Sequence, residues 1–179
     1  MNPFLAAWSN YYVITGSSAA ALTGLMFVVI TLVAGQERFL KNMRDGVETF
    51  SSPTDVHFCA ALLISATLAA PWRSLISPGV VLALIGLCGF VYGLRVLSRM
   101  ARRTTYRPGF DDWFWYAAMP VIAYLAIFAA AIALSTVPAQ ALFVLAGGTI
   151  ALIFTGIRNA WDIVTFIAVE IKPTDQPPD

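Results

Sequence analysis

Charge is scarce in this sequence. Only 12% of its 179 residues are Asp, Glu, Lys or Arg, against roughly a quarter in an ordinary soluble domain. With 59% of the residues hydrophobic and a mean hydropathy of +0.75, a soluble globular protein is excluded. Histidine is almost missing too: His57 is the single one, which leaves no pair for a histidine-based metal site. The two cysteines, Cys59 and Cys88, fall in apolar stretches at different depths of successive helices, which argues against a disulfide. The first ten residues carry no Lys or Arg, so the positive n-region of a cleaved secretory signal is missing. The apolar run behind them is too long for a signal's core and is expected to stay as a spanning helix.

Catalytic signatures are also lacking. No HExxH, GxSxG, Walker loop, CxxC pair or dinucleotide fingerprint occurs, so neither an enzyme nor a bound cofactor or metal is expected. No Asp, Glu, Lys or Arg lies near the middle of an apolar segment, where a proton-coupled transporter normally keeps an ionisable group.

What the chain does contain is five apolar segments. Residues 12–34, 56–76, 79–97, 113–135 and 139–157 each approach the roughly 20 residues that cross about 30 Å of hydrocarbon at 1.5 Å per residue. The expected fold is therefore all-α, a five-span transmembrane bundle forming one domain over residues 1–172, with a short disordered tail at 173–179. An odd number of spans does not divide into the two halves of many secondary transporters. The second span is the weakest, because Pro71-Trp72-Arg73 interrupts it and makes a short or kinked helix.

Local signals set the boundaries. Ser52-Pro53-Thr54-Asp55 reads as a cap, a first-turn proline and an acid opening span two. Ser77-Pro78-Gly79 reads the same way for span three, Asp111-Asp112 place carboxylates at the positive end of span four, and Thr136-Val137-Pro138 turns into span five. Pro120 should free the carbonyl of Tyr116 and bend span four.

Orientation follows from the bases. With the N-terminus outside, Arg38, Lys41, Arg44, Arg95, Arg99, Arg102, Arg103, Arg107, Arg158 and Lys172 are inside and Arg73 alone is outside. Ten to one is a strong positive-inside bias, so the C-terminus is expected in the cytoplasm. Trp8, Tyr11, Tyr12 and Trp72 mark the outer interface, with Trp113, Trp115, Tyr116 and Trp161 at the inner one. The Arg99–Arg107 cluster suits anionic lipid, and no nucleic-acid partner is expected.

Three helices are expected to outrun the membrane. Phe39, Leu40, Met43 and Val47 continue at helical spacing after span one, with Glu37 and Lys41 as an i,i+4 pair; Met100 and Ala101 prolong span three. Residues 139–172 can form one helix of about 50 Å, whose Trp161, Val164, Phe166, Ile167 and Ile171 would need apolar partners in a cytoplasmic helical collar. The competing reading turns residues 163–171 flat onto the inner interface.

Small residues recur at helical spacing. Gly16, Ala20 and Gly24 share a face of span one, with Thr23 and Thr31 near it; Gly86, Gly89 and Gly93 do so in span three; Gly148, Ala151 and Thr155 do so in span five. Such faces either pack helices closely or, in an oligomer, line a water-filled path. His57, Arg158, Asn159 and Asp162 are the polar candidates at the inner mouth. His57 reads as an interfacial hydrogen-bonding residue or a pH or metal sensor, and Arg158 with Asp162, four apart, as an ion pair or a charged ring.

The stretch Ser18-Ala19-Ala20-Ala21-Leu22-Thr23-Gly24-Leu25-Met26-Phe27-Val28, with Ile157-Arg158-Asn159-Ala160-Trp161-Asp162, resembles a widespread group of small bacterial five-helix membrane proteins. That group shows an AALTGLxFV first helix and a last helix carrying NAW. The resemblance implies a bacterial inner membrane and marks Thr23-Gly24 and Asn159–Trp161 as family-defining, but it carries no activity across. The expected function is a self-associating inner-membrane protein, lipid-embedded, acting as an ion channel. The alternative is a non-conducting accessory subunit of another membrane complex.

Overall fold

The computed structural model describes residues 2–34, 37–102 and 113–170, with side chains placed for 2–31, 53–101 and 113–165 except 163. Among these residues there is helix and no strand. A short helix, α1 (Pro3–Ala7), leads into α2 (Ser9–Ala34). Then follow α3 (Glu37–Ala69), α4 (Ile76–Arg102), a π-helical turn (Phe114–Ala118) that opens α5 (Met119–Ala133), and α6 (Pro138–Glu170). Four stretches are long and apolar enough to cross a membrane: Ser9–Thr31, Ile76–Ala101, Phe114–Ala133 and Pro138–Asp162. A shorter apolar stretch, Pro53–Ala69, belongs to α3. By length and composition the described residues form a helical membrane protein with four helices able to cross a bilayer and a shorter apolar one.

Helices α3, α4, α5 and α6 form a ring: α4 packs on α5, α5 on α6, α6 on α3, and α3 touches α4. The α4–α5 pair is antiparallel, as its two contacts show. Gly86 lies by Phe128 and Gly93 by Val121; Gly148 lies by Ile127; Phe58 lies by Gly156. The α2 helix stands outside the ring, packed on α3, where Thr15 Oγ1 meets Ser65 Oγ at 3.0 Å and Ala19 clusters with Ala61 and Ile153. Its start is tied to α6 by hydrogen bonds that Tyr11 and Tyr12 donate to the carbonyls of Ala146 and Leu142. The ring's core is aliphatic, with Ile64, Leu68, Leu82, Ile127, Leu134, Leu142, Leu145 and Leu152 all fully buried.

Several boundaries differ from the sequence expectations. Pro53 does not open a helix; it sits inside α3, where a proline costs the helix one backbone hydrogen bond. Residues from Glu37 onward are helical as the first half of α3, not as a continuation of span one. The same helix ends at Ala69, short of Ile76, where Pro71 stops it and Trp72 Nε1 donates to the Thr67 carbonyl. Helix α4 then starts at Ile76, capped by Ser74, whose Oγ accepts from the Ile76 amide at 3.2 Å; Pro78 is a first-turn proline, but Ser77 is not the cap. The turn into α6 falls where expected, with Val137 N donating to the Ala133 carbonyl at 2.9 Å. The side chains of Glu37, Phe39, Leu40, Lys41, Met43, Val47, Phe166, Ile167 and Arg102, and residues 103–112 and 171–179, lie outside the described residues.

Pro120 acts in a way that spacing alone did not specify. Its ring would meet the carbonyl four residues back in a regular helix. The turn before it is π-helical, and the Met119 amide bonds to the Phe114 carbonyl five residues back. One extra residue in the turn absorbs the proline. Helix α1 is also new: Asn2 caps it by accepting from the Phe4 amide and Pro3 stands at its first position, a start signal present in the sequence.

Helix α4 approaches α5 over three glycines. A Cβ at Gly86 would lie 2.8 Å from the backbone nitrogen of Phe128, and one at Gly89 would enter the ring of Tyr124. Gly147, in contrast, has nothing within 4 Å of an added Cβ. Gly86→Ala is expected to lower stability by about 1–3 kcal/mol through overpacking. Gly147→Ala should hold or raise it by up to about 1 kcal/mol through helix propensity. Thermal unfolding of the two variants in one detergent checks the contrast.

Candidate functional site

Outer-lying candidates come first. Ala20 is exposed on α2, and so is Gly24, where an added Cβ would touch nothing within 4 Å. Thr23 and Thr31 satisfy their own helix, donating to the carbonyls of Ala19 and Phe27. Gly16 faces inward, with Ser65 Cβ 3.0 Å from an added Cβ. In α6, Gly148 is buried against Ile127 of α5, Ala151 is partly buried against the core, and Thr155 is fully buried. The small faces of α2 and α6 therefore do not meet within the chain: one looks outward and the other is taken up by α5 and α3.

The polar candidates divide in the same manner. Arg158 and Asp162 form an ion pair across one turn of α6, both partly exposed. Such pairs contribute about 0.3–0.5 kcal/mol. Trp161, between them, is 66% exposed. His57 and Asn159 are instead buried in the ring, at 1% and 0% exposure. His57 is not at a helix start; it lies well inside α3, because the helix that carries it begins at Glu37.

Three helices position this interior site. His57 Nδ1 is 3.0 Å from the hydroxyl of Tyr124 on α5, with ring centroids 5.7 Å apart. Tyr124 is fully buried, and its ring can lie there because Gly89 of α4 offers no Cβ. Phe58, next to His57, seats its ring on Gly156 of α6, where an added Cβ would be 2.5 Å from Cε1. Thr155 and Asn159 flank that glycine. Fully buried Thr54, one turn before Phe58, completes the group. Tyr124 and Thr54 escaped sequence reasoning. The spacing Gly86-Gly89-Gly93 could have pointed to a bulky partner on the facing helix, though not to which one.

The arrangement can bind and orient by hydrogen bonds. Among the described residues no group of three His, Cys, Asp or Glu side chains could hold a metal ion. Arg95 and Arg99 line an open groove on α4 with Val91 and Leu94, a cationic and apolar mixture suited to a lipid headgroup.

Fold and site together define a helical membrane protein with a polar junction inside an aliphatic ring. No protein-family model matches the chain, and no curated protein or solved structure matches it.

The His57–Tyr124 contact generates a prediction. Tyr124→Phe removes the hydrogen bond between the buried imidazole's Nδ1 and a buried hydroxyl and is expected to cost about 1–3 kcal/mol. Adding His57→Phe removes the orphaned group, so the double variant should be destabilised by less than the sum of the two single variants. Unfolding midpoints for the four members of the cycle measure the coupling; strict additivity would contradict the contact.

Proposed function

We propose that this chain is a non-enzymatic, multi-pass protein of the bacterial inner membrane, N-terminus outside and C-terminus inside, that works as a homo-oligomer. The observation that carries the reading is on α6. This helix runs unbroken through Arg158 to Glu170, about 50 Å for its length, while the hydrocarbon core is roughly 30 Å thick. On its far end Ile157, Trp161 and Val164 are exposed, at 41%, 66% and 40%, and their i, i+4, i+7 spacing makes one stripe. The stripe sits at the end of the apolar stretch Pro138–Asp162 and runs past it at Val164, and the same stripe on neighbouring copies would cover it as a helical collar.

Helix α2 adds a second contact face. Ser17, Ala20, Ala21 and Gly24 are exposed together, and small residues let helix backbones approach closely in lipid. The function this arrangement best supports is an ion-conducting pore between copies, with the exposed hydroxyls of Ser17, Ser18 and Thr31 available to line it. The second reading, a non-conducting accessory subunit, is favoured by Gly148 and Thr155: these small and hydroxylated positions of α6 are sealed inside the chain's own ring.

The assembly is tested by mass in lipid nanodiscs, where a multiple of 19.4 kDa is expected. Trp161→Glu should shift it toward the single chain with the unfolding temperature little changed. Current across planar bilayers from the wild-type assembly supports the pore. Stoichiometric recovery of another membrane protein with a silent bilayer supports the accessory subunit. A monomer that neither conducts nor copurifies with a partner would overturn both. The orientation predicts that green fluorescent protein fused after Asp179 is bright and alkaline phosphatase at the same point inactive; the reverse pattern inverts the topology.

A further inference from the structure

Inside the ring, polar side chains outnumber their partners. Among the described residues, Thr54 Oγ1, Asp55 Oδ1, His57 Nε2, Thr155 Oγ1 and both amide atoms of Asn159 are buried without a hydrogen bond. Thr54, His57, Thr155 and Asn159 are each at most 1% exposed, so neither bulk water nor lipid headgroups reach them. An apolar interior strongly penalises polar atoms left in this state, and native cores resolve nearly all of them with a protein partner, an ion or an ordered water.

The packing brings the four together. Phe58 resting on Gly156 fixes α3 against α6 at this level. Thr54 and His57 stand on the Phe58 side of α3, about 60° apart at 3.6 residues per turn, and Thr155 and Asn159 are about 40° apart on α6. Tyr124 closes the third side through His57 Nδ1. Asp55 lies about 160° round α3 from His57, so the carboxylate belongs to the other flank and the group around His57 has no formal charge besides the imidazole's own.

We propose that this junction of α3, α5 and α6 is a binding site for ordered water. The donor and acceptor inventory selects that ligand. Asn159 offers two N–H donors and a carbonyl, each threonine hydroxyl both donates and accepts, and Nε2 of His57 takes whichever role the Tyr124 bond leaves it. A metal cation would face amide N–H groups, and an anion would face carbonyl and hydroxyl lone pairs. Water both donates and accepts, and a buried water makes about three such bonds. The bound water extends the Tyr124–His57 pair to α6, so that one hydrogen-bonded chain ties three helices at the end of the ring where Leu152 and the aliphatic core give out.

The single histidine makes the test specific. Protein uniformly labelled with 15N, carrying no polyhistidine tag so that His57 gives the one imidazole signal, is placed in lipid bilayers, and magnetisation transfer from water to the side chain and to backbone amides is followed by solid-state NMR. Nε2 of His57 is expected to receive magnetisation several-fold faster than the buried backbone amides of Ile64 and Leu145. T155V and N159L, which keep approximate shape and remove ligands of the water, should slow the transfer and lower the unfolding temperature. Transfer to wild-type His57 no faster than to Ile64 overturns the proposal, and it does so even if neither variant folds. A rise in unfolding temperature for T155V also overturns it, because gain on removing a hydroxyl is the mark of a dry, orphaned group.

Discussion

The close approach of α4 to α5 over Gly86, Gly89 and Gly93 is the constraint from which the rest of the ring follows. In lipid there is little hydrophobic gain in pressing two apolar helices together, so association depends on van der Waals contact and on hydrogen bonds between helices. Glycine supplies the first by removing the Cβ that would hold the backbones apart. It also makes room for a large ring: Tyr124 occupies the space a side chain at Gly89 would fill. From there its hydroxyl reaches His57 on α3, which fixes the third helix, and Phe58 beside it fixes the fourth by resting on Gly156. A glycine seam and a chain of aromatic contacts thus set the relative depth of four helices.

The two ends of the ring are built differently as a result. Toward α1 and the α5–α6 turn, the interior is leucine and isoleucine closed over by Trp8, Tyr11 and Tyr12, with Tyr11 edge-on to both its neighbours and the exposed Phe143 edge-on to Trp8. Toward the far end of α6 the same interior becomes polar, with His57, Thr54, Thr155 and Asn159. Pro53 of α3 and Pro120 of α5 fall near that polar end. Pro53 is carried within α3 and Pro120 is absorbed by a π-helical turn, and each leaves backbone groups outside the regular ladder. Irregular backbone and buried polar side chains concentrate in one region, which is where membrane helices tolerate them, away from lipid and among other protein groups.

How much of this was legible in the sequence depended on whether the signal was local. Apolar length revealed the helices, and the Thr136-Val137-Pro138 turn was visible because turn chemistry is set by adjacent residues. The helix starting at Glu37 was not. Pro53 and the Ser-Pro-Thr-Asp pattern look like a beginning, and only tertiary packing decides that the helix runs through them. Gly148 and Gly24 are the same residue type at the same spacing in comparable helices, yet one is packed against Ile127 and the other touches nothing. Periodicity finds a small-residue face without saying which neighbour fills it. The polar junction was missed for a related reason. Its members lie on three helices, and Tyr124, one tyrosine in a run of alanine and isoleucine, has no local pattern to mark it.

Small residues therefore do two different jobs in one chain, and the difference bears on where any second copy can sit. In α4 and α6 they are consumed by the fold, since Gly86, Gly89, Gly93, Gly148 and Gly156 each have a side chain or backbone of a neighbouring helix pressed against them. Opening those faces to another molecule would mean separating helices whose depth is set by the Tyr124 and Phe58 contacts. In α2 Gly16 is packed on Ser65, but Ala20 and Gly24 of the same face are exposed, because that helix stands outside the ring and is held there by contacts such as those of Thr15, Ala19 and the tyrosines. On the far end of α6, Ile157, Trp161 and Val164 are exposed as well. A contact with another chain at either of these two places would leave the ring and its buried polar junction undisturbed.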